Sequence, residues 1–297
     1  MNPAAIAGFL LVDKPSGWTS HDVVAKVRSV LRIKKVGHAG TLDPMATGLL
    51  VLGIGRATRL LRYVSGADKQ YVATVRFGVA TDTLDADGAI LSREPMPVTA
   101  DDVERVLPRF IGTIAQVPPM VSAVKVEGRR LYELAREGKT VERKARSVIV
   151  HDLRLTDFAP SQYPEATFEV RCGSGTYVRT LADDMARALG GRAHLSALRR
   201  THIGALDVVD AKAVDDLSGD PAWLDTMLLS PARGLADLPS VEIGDDLMGA
   251  ISNGVAIAGH PFNNSASGPV RVLDDSGRLL AVYRREGKRA TAEVVLS

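Results

Sequence analysis

Cysteine is nearly absent: Cys172 is the only one in 297 residues, so no internal disulfide can form. Its surroundings read as a small hydrophobe buried in a strand. The six histidines and this one thiol fall at no spacing that suggests a zinc site. No run approaches the roughly 18 apolar residues needed to span a bilayer. The apolar residues 4–12 have no basic residue before them and meet Asp13 and Lys14 instead of a small-residue cleavage site, which argues against a secretory leader and for the cytosol. Internal repeats and low-complexity tracts are missing too. With 45% hydrophobic and 24% charged residues, the composition excludes disordered, collagenous and membrane classes. The length suits one large domain and a small one.

Net charge is also scarce, only +2, yet it is unevenly spread. Lys125, Arg129, Arg130, Arg136, Lys139, Arg143, Lys144 and Arg146 stand against four glutamates, a local charge of +4 that exceeds the whole chain's. A second cluster, Lys26, Arg28, Arg32, Lys34 and Lys35, has no acid between Asp22 and Asp43. Charge alone leaves two readings open, a phosphate-binding surface or a pair of solvated helix faces.

The pattern along the chain predicts a mixed α/β domain. A strand at 9–12 ends in the Lys14-Pro15-Ser16-Gly17 turn, and Thr19 or Ser20 caps a helix carrying Val23, Val24, Val27, Val30 and Leu31 at helical spacing. A loop rich in Gly and Thr at 37–48 leads to an apolar strand at 49–54, then to helical spacing at 56–63. Residues 71–77 alternate as a strand, and 99–110 form a capped amphipathic helix. Pro118-Pro119 introduces the basic segment, with a helix near 131–137. Strands follow at 147–155 and 166–172. Ser174 or Thr176 then starts a helix with Val178, Leu181, Met185 and Leu189 on one face, stopped by Gly190-Gly191. Such alternation implies a sizeable sheet. Residues 231–239 read as a linker. Beyond it, short strands at 255–258, 270–273, 279–284 and 291–296, with turns at Asn263-Asn264 and 275–277, predict a small β-rich domain. The expected domains are thus 1–235 and 240–297.

The stretch GHAGTLDPMATG at 37–48 carries the chemistry. Glycines on both sides let the backbone bring one carboxylate, Asp43, close to a ligand, and Pro44 stiffens the exit. A phosphate-binding Gly-x4-Gly-Lys-Ser/Thr pattern is absent. Taken alone, Asp43-Pro44 is also simply a turn. GHAGTLDPMATGLLVLGIGRATRL, together with KPSGWTS before it and KQYVATVRFGVATDTLDADG and SGTYVRTLADDMARALGGRAHLSALRR after it, resembles the TruB-type tRNA pseudouridine-55 synthases motif by motif and in order, over residues 9–204. QVPPMVSAVKVEGRRLYELAREG is similar to that family's RNA-gripping insertion, expected here at about 119–146. The C-terminal stretch resembles its PUA-like domain in length, position and strand content.

The resemblance implies that Asp43 is the catalytic aspartate that attacks the uridine and that Tyr71 stacks on the flipped base. It implies that Tyr177 lies beside the base and that Arg179 pairs with the catalytic carboxylate. Leu198 matches an apolar pocket wall, His38 a residue that displaces T-loop bases, and Asp85 a polar group near the flipped nucleotides. Arg59 stands where relatives often carry lysine, which implies a phosphate contact. Lys125, Arg129 and Arg130 belong to the insertion and are expected to bind RNA. The implied partner is the T stem-loop of tRNA, with no cofactor, metal, membrane or obligatory protein partner, for a monomer. An RNA-folding helper or a guide-RNA-dependent relative of dyskerin type are the alternative readings. Physically, an aspartate is ionised at neutral pH and is ready for covalent catalysis without a metal. Stacking worth roughly 1 to 3 kcal/mol per base offsets the cost of extruding a uridine. Pseudouridine formation is therefore expected to survive exhaustive chelation; activity lost to EDTA and restored by a transition metal would show otherwise.

Overall fold

Two runs, Gly8–Lys14 and Thr47–Ile54, are apolar at nearly every position instead of alternating, as strands covered on both faces are. In the computed structural model, which describes residues 6–122, 125–126, 128–139, 141–217, 223–259, 261–262 and 267–296, both are strands and almost wholly buried. The chain divides into two compact units. One holds Met1–Asp43, Gly48–Ala67 and Ile203–Ser297, and the other Pro44–Thr47 and Asp68–His202.

In the first unit, Gly8–Lys14 and Thr47–Ile54 run antiparallel, with Gly8 opposite Ile54 and Lys14 opposite Gly48. Val36–Ala39 extends this pair beyond Thr47–Ile54, and Lys212–Ala213 and Leu228–Leu229 extend it beyond Gly8–Lys14. Helix Ser20–Leu31 begins at the expected Thr19, through a capping box with Asp22 (Asp22 N to Thr19 Oγ1 3.1 Å, Thr19 N to Asp22 Oδ2 2.8 Å). It buries Val23, Val24 and Val27. Lys14 is completely buried, and its ammonium donates to the carbonyls of Pro15 (2.9 Å) and Trp18 (2.7 Å). Those bonds replace water and fix the turn that leads into the helix.

The C-terminal β-rich element is a five-stranded sheet. Ser240–Glu242 pairs parallel with Gly268–Leu273, and Leu279–Glu286, Arg289–Val295 and Ile257–Ala258 continue antiparallel. One face packs on helix Asp245–Ser252 around Phe262 and Tyr283, whose rings stack at 5.6 Å. The other face sends Leu273, Leu279, Val282 and Val294 into one core with Phe9, Leu11, Val51, Leu60 and Leu235. The boundary expected at 235–240 is therefore not where the contacts divide. Residues 231–239 also differ from a free linker. They contain helix Pro231–Gly234, capped by Ser230, and Arg271 grips them through Ala232 O (2.8 Å), Leu238 O (2.9 Å) and Ala236 O (3.4 Å). The Asn263-Asn264 turn lies outside the described residues.

The second unit is a sheet in the order Ala193–Ile203, Lys69–Phe77, Glu165–Cys172, Arg146–Ala159, Gly112–Gln116. The last four run antiparallel to one another in succession. Strict alternation puts Lys69, Ala73, Val75 and Phe77 on the buried face with Ala166, Phe168, Val170 and Cys172. Helices Ala100–Val106 and Val178–Ala188 belong to this unit; the first has a Thr99 and Asp102 capping box. Val178, Leu181 and Met185 are buried as expected. The cap of Val178–Ala188 corrects the sequence reading: Tyr177 is its N-cap residue, and Thr176 instead donates to Gly173 O (3.0 Å). The insertion holds a hairpin, Lys125–Val126 and Arg129–Arg130, before helix Leu131–Arg136.

Arg271→Ala is expected to release the strap and lower stability by about 2 kcal/mol, since bonds to a charged donor contribute about 1.5 to 3 kcal/mol. A melting midpoint within a degree of wild type would show that the clamp carries no weight.

Candidate active site

The Asp43 loop needs two positive backbone angles, Gly40 at φ 81° and Gly48 at φ 99°, where side chains are disfavoured. Just ahead of Asp43, buried Ser20 fixes the backbone: Leu42 N donates to Ser20 Oγ (2.9 Å), and the hydroxyl donates back to Leu42 O (3.3 Å). The first helix turn thus holds the residue preceding the carboxylate, and Asp43 itself is half-buried. His38 lies on Val36–Ala39 opposite Leu52, with its ring edge-on to His21 at 5.4 Å. Arg59 is exposed, and one of its N–H groups donates to Val295 O (2.7 Å), tying it to the C-terminal strand. These residues all belong to the first unit.

Tyr71, Asp85, Tyr177, Arg179 and Leu198 belong to the second. Arg179 is its hub. Its guanidinium is buried with the Asp85 carboxylate, at 4% and 6% side-chain exposure. Nη1 donates to Asp85 Oδ2 (3.1 Å) and Thr83 O (2.8 Å), and Nη2 to Val121 O (2.9 Å). Asp85, expected only as a polar group near nucleotides, is thus an ion-pair partner of Arg179. Its Oδ1 accepts from Thr83 Oγ1 and from Asp87 N (3.2 Å). One arginine and one aspartate so fix the 83–87 turn against the start of helix Val178–Ala188.

Beside Arg179, Tyr177 is held at both backbone ends by one side chain. Its N–H donates to Gln116 Oε1 (3.0 Å), and Gln116 Nε2 donates to its carbonyl (3.2 Å). Sequence reasoning missed Gln116; the signal was a polar residue closing a strand just before Pro118-Pro119. Tyr71 is half-buried in Lys69–Phe77, opposite Val170. Leu198 is buried at 7% exposure in Ala193–Ile203. Lys69, also missed, is buried two residues before Tyr71, and burial, with Arg200 nearby, pushes its ammonium down to about 8. Burial pushes the Cys172 thiol, its register partner, up to about 11.

In the insertion, Arg129 and Lys139 both pair with Glu137, the lysine at 2.9 Å, and Arg143 donates to Pro118 O (3.0 Å). Lys125 and Arg130 are backbone register partners in the hairpin. Among the described residues, no group of three or more His, Cys, Asp or Glu is placed to hold a metal, and no helix is long and apolar enough to cross a membrane.

Asp85→Ala is expected to lower stability by about 3 kcal/mol, because it strips a buried guanidinium of a carboxylate. Asp85→Asn keeps the Thr83 and Asp87 bonds and is expected to cost less. Equal melting of the two variants would place the effect in the ion pair and not in the turn.

Residues 28–178 match the model of the TruB family pseudouridylate synthase (N terminal domain). The chain is 46% identical over 95% of its length to tRNA pseudouridine synthase B of Moorella thermoacetica, covering 94% of that protein. To the protein of the same name in Thermobifida fusca it is 42% identical, over 98% of both chains. Among solved structures, an H/ACA RNP bound to a substrate RNA containing 2'-deoxyuridine superposes with TM-score 0.73 at 24% identity, over 98% of this chain and 85% of that one. A Cbf5-Nop10-Gar1 complex gives TM-score 0.73 at 25% identity, over 98% and 84%. These structures share its fold, and the sequence matches place it: the chain belongs to the TruB family of pseudouridylate synthases.

Proposed function

We propose that this protein converts uridine-55 in the T loop of tRNA to pseudouridine, acting on tRNA without a guide RNA, in the cytoplasm. The observation that carries the reading is near full-length similarity to proteins named tRNA pseudouridine synthase B, combined with a carboxylate held in a glycine-flanked loop at Asp43. Asp43 attacks the flipped nucleotide and forms a covalent bond to it. The C1'–N1 glycosidic bond breaks, the uracil turns, and a C1'–C5 bond forms. The C5 proton is then lost, N1 is protonated, and Asp43 is released, so the reaction is an isomerisation with no net redox change. Tyr71 stacks on the base, which offsets unstacking. Arg179 orients the carboxylate, and Asp85 and Thr83 keep that guanidinium in one pose. Tyr177, set by Gln116, and Leu198 line the base. His38 displaces neighbouring bases, and Arg59, Lys125, Arg129 and Arg130 meet phosphates. The basic insertion supports a protein that grips its own substrate.

Asp43→Asn keeps size and turn propensity and removes the nucleophile. Pseudouridine in unmodified tRNA, mapped at single-nucleotide level, is expected to fall below detection. Affinity for tRNA should change by no more than about tenfold, or ~1.4 kcal/mol, because phosphate contacts and stacking do not require the anion. Isomerisation by a folded Asp43→Asn protein would remove Asp43 from the chemistry. A wild-type protein that refolds tRNA but forms no pseudouridine would favour a folding helper instead.

A further inference from the structure

Residues 23–67 contain eight basic residues and a single acid, Asp43, in a chain whose net charge is +2. The structure sorts these cations into two groups. Arg28 donates to Val36 O (2.6 Å), Arg56 to Leu296 O (2.8 Å) and Arg59 to Val295 O (2.7 Å), and Arg62 pairs with Glu293 (3.4 Å). All four are engaged within the fold, although Arg59 stays exposed and uses one N–H group there. Lys26, Arg32, Lys34 and Lys35 are not so engaged: among the described residues, none of these four has a side-chain hydrogen bond or ion pair. Arg32, Lys34 and Lys35 are exposed. Cations in the last turn of a helix are favoured by its dipole, but that accounts for Arg28 and not for a run continuing past the helix end.

A second, independent observation falls on the same residues. Arg32 is the C-cap of helix Ser20–Leu31 in the left-handed region, φ 54° and ψ 33°. Only one other described non-glycine residue, Leu84, has positive φ. Glycine or asparagine normally takes this position, because other side chains are strained there. The strained cap turns the chain sharply, and Lys35 O, accepting from Gly55 N (2.8 Å), pins the exit of the turn. Strain kept at an exposed cation points to use. Within and just after the run, Ile33 and Val36 are buried at 6% and 3% exposure, so the exposed residues Arg32, Lys34 and Lys35 present mainly charge, with Val30 and Leu31 half-buried in the helix before them. A membrane or protein partner would take apolar groups as well; a sugar-phosphate backbone takes charge alone.

We propose that Arg32, Lys34 and Lys35, with Lys26, form a phosphate-binding strip for the tRNA backbone, separate from the basic insertion. The proposal rests on the reading that tRNA is the substrate. Those phosphates belong either to the T arm or to the rest of the tRNA.

The test is the full chain carrying Arg32→Gln, Lys34→Gln and Lys35→Gln together, titrated with unmodified tRNA and with an isolated T stem-loop between about 50 and about 200 mM salt. The logarithmic salt slope for tRNA is expected to become shallower by about 2 to 3, at ~0.9 for each phosphate no longer neutralised, with affinity at least about tenfold weaker. Weaker binding of both RNAs assigns the strip to the T arm, and weaker binding of intact tRNA alone assigns it to the remainder; either supports the strip. Unchanged slopes with both RNAs, for a variant that melts like wild type, overturn it. Arg32→Gly, which relieves the positive φ, provides a second reading: higher melting with weaker tRNA binding is expected, and higher melting with wild-type binding would overturn the role of Arg32. Pseudouridine yield of the wild-type protein on the same tRNA judges the proposed function separately from these slopes.

Discussion

A guanidinium taken out of water must find acceptors for its donors, and the second unit is arranged around that demand at Arg179. The carboxylate of Asp85 supplies charge, and the carbonyls of Thr83 and Val121 supply the remaining geometry. Because the fork of an arginine is rigid, these bonds fix directions as well as energies. The turn at 83–87, the approach to the insertion and the first turn of helix Val178–Ala188 are consequently set by one side chain. Tyr177 next to it is set by another, Gln116. In the proposed chemistry, a base-contacting residue and a carboxylate-orienting residue thus arrive already positioned, which is what covalent catalysis on a flipped base requires.

The first unit uses the same device for a structural end. Arg271 gathers three carbonyls of the 231–239 strap, and the C-terminal sheet shares its core with Phe9, Val51 and Leu60. The sheet therefore does not behave as a bead on a tether. Arg56 and Arg59 add donors to the carbonyls of Leu296 and Val295, so the segment that follows the Asp43 loop is also bonded to the last strand.

Local signals were readable wherever the physics is local. The Thr19 cap, the Val23, Val24 and Val27 face, the 71–77 strand and the burial of Val178, Leu181 and Met185 follow from spacing and short-range chemistry, and the structure shows each of them. The Asp43 loop was legible because glycines bracket one acid and because its motif resembles a known family. What the sequence did not disclose depends on partners far apart in the chain. Gln116 meets Tyr177 across 61 positions, Arg271 meets Ala232 across 39, and Asp85 meets Arg179 across 94. No periodicity encodes such pairs, and a polar residue about to be buried looks like one that stays in water. The 231–239 stretch reads as a linker for the same reason: its composition is loose, and what restrains it comes from elsewhere.

The two units differ in how the chain supplies them. The second is almost one continuous stretch, Asp68–His202, whereas the first is assembled from an early piece, a short middle piece and the last third. During synthesis every residue of the second unit is available once His202 emerges. The strand Gly8–Lys14, made well before that, must wait for Leu273, Leu279, Val282 and Val294 before its core closes. Domains fold as units as they leave the ribosome, and closing distant contacts is slow. An early-translated strand is therefore among the last parts to mature, and its unburied apolar side chains are what a nascent chain would present to chaperones in the interval.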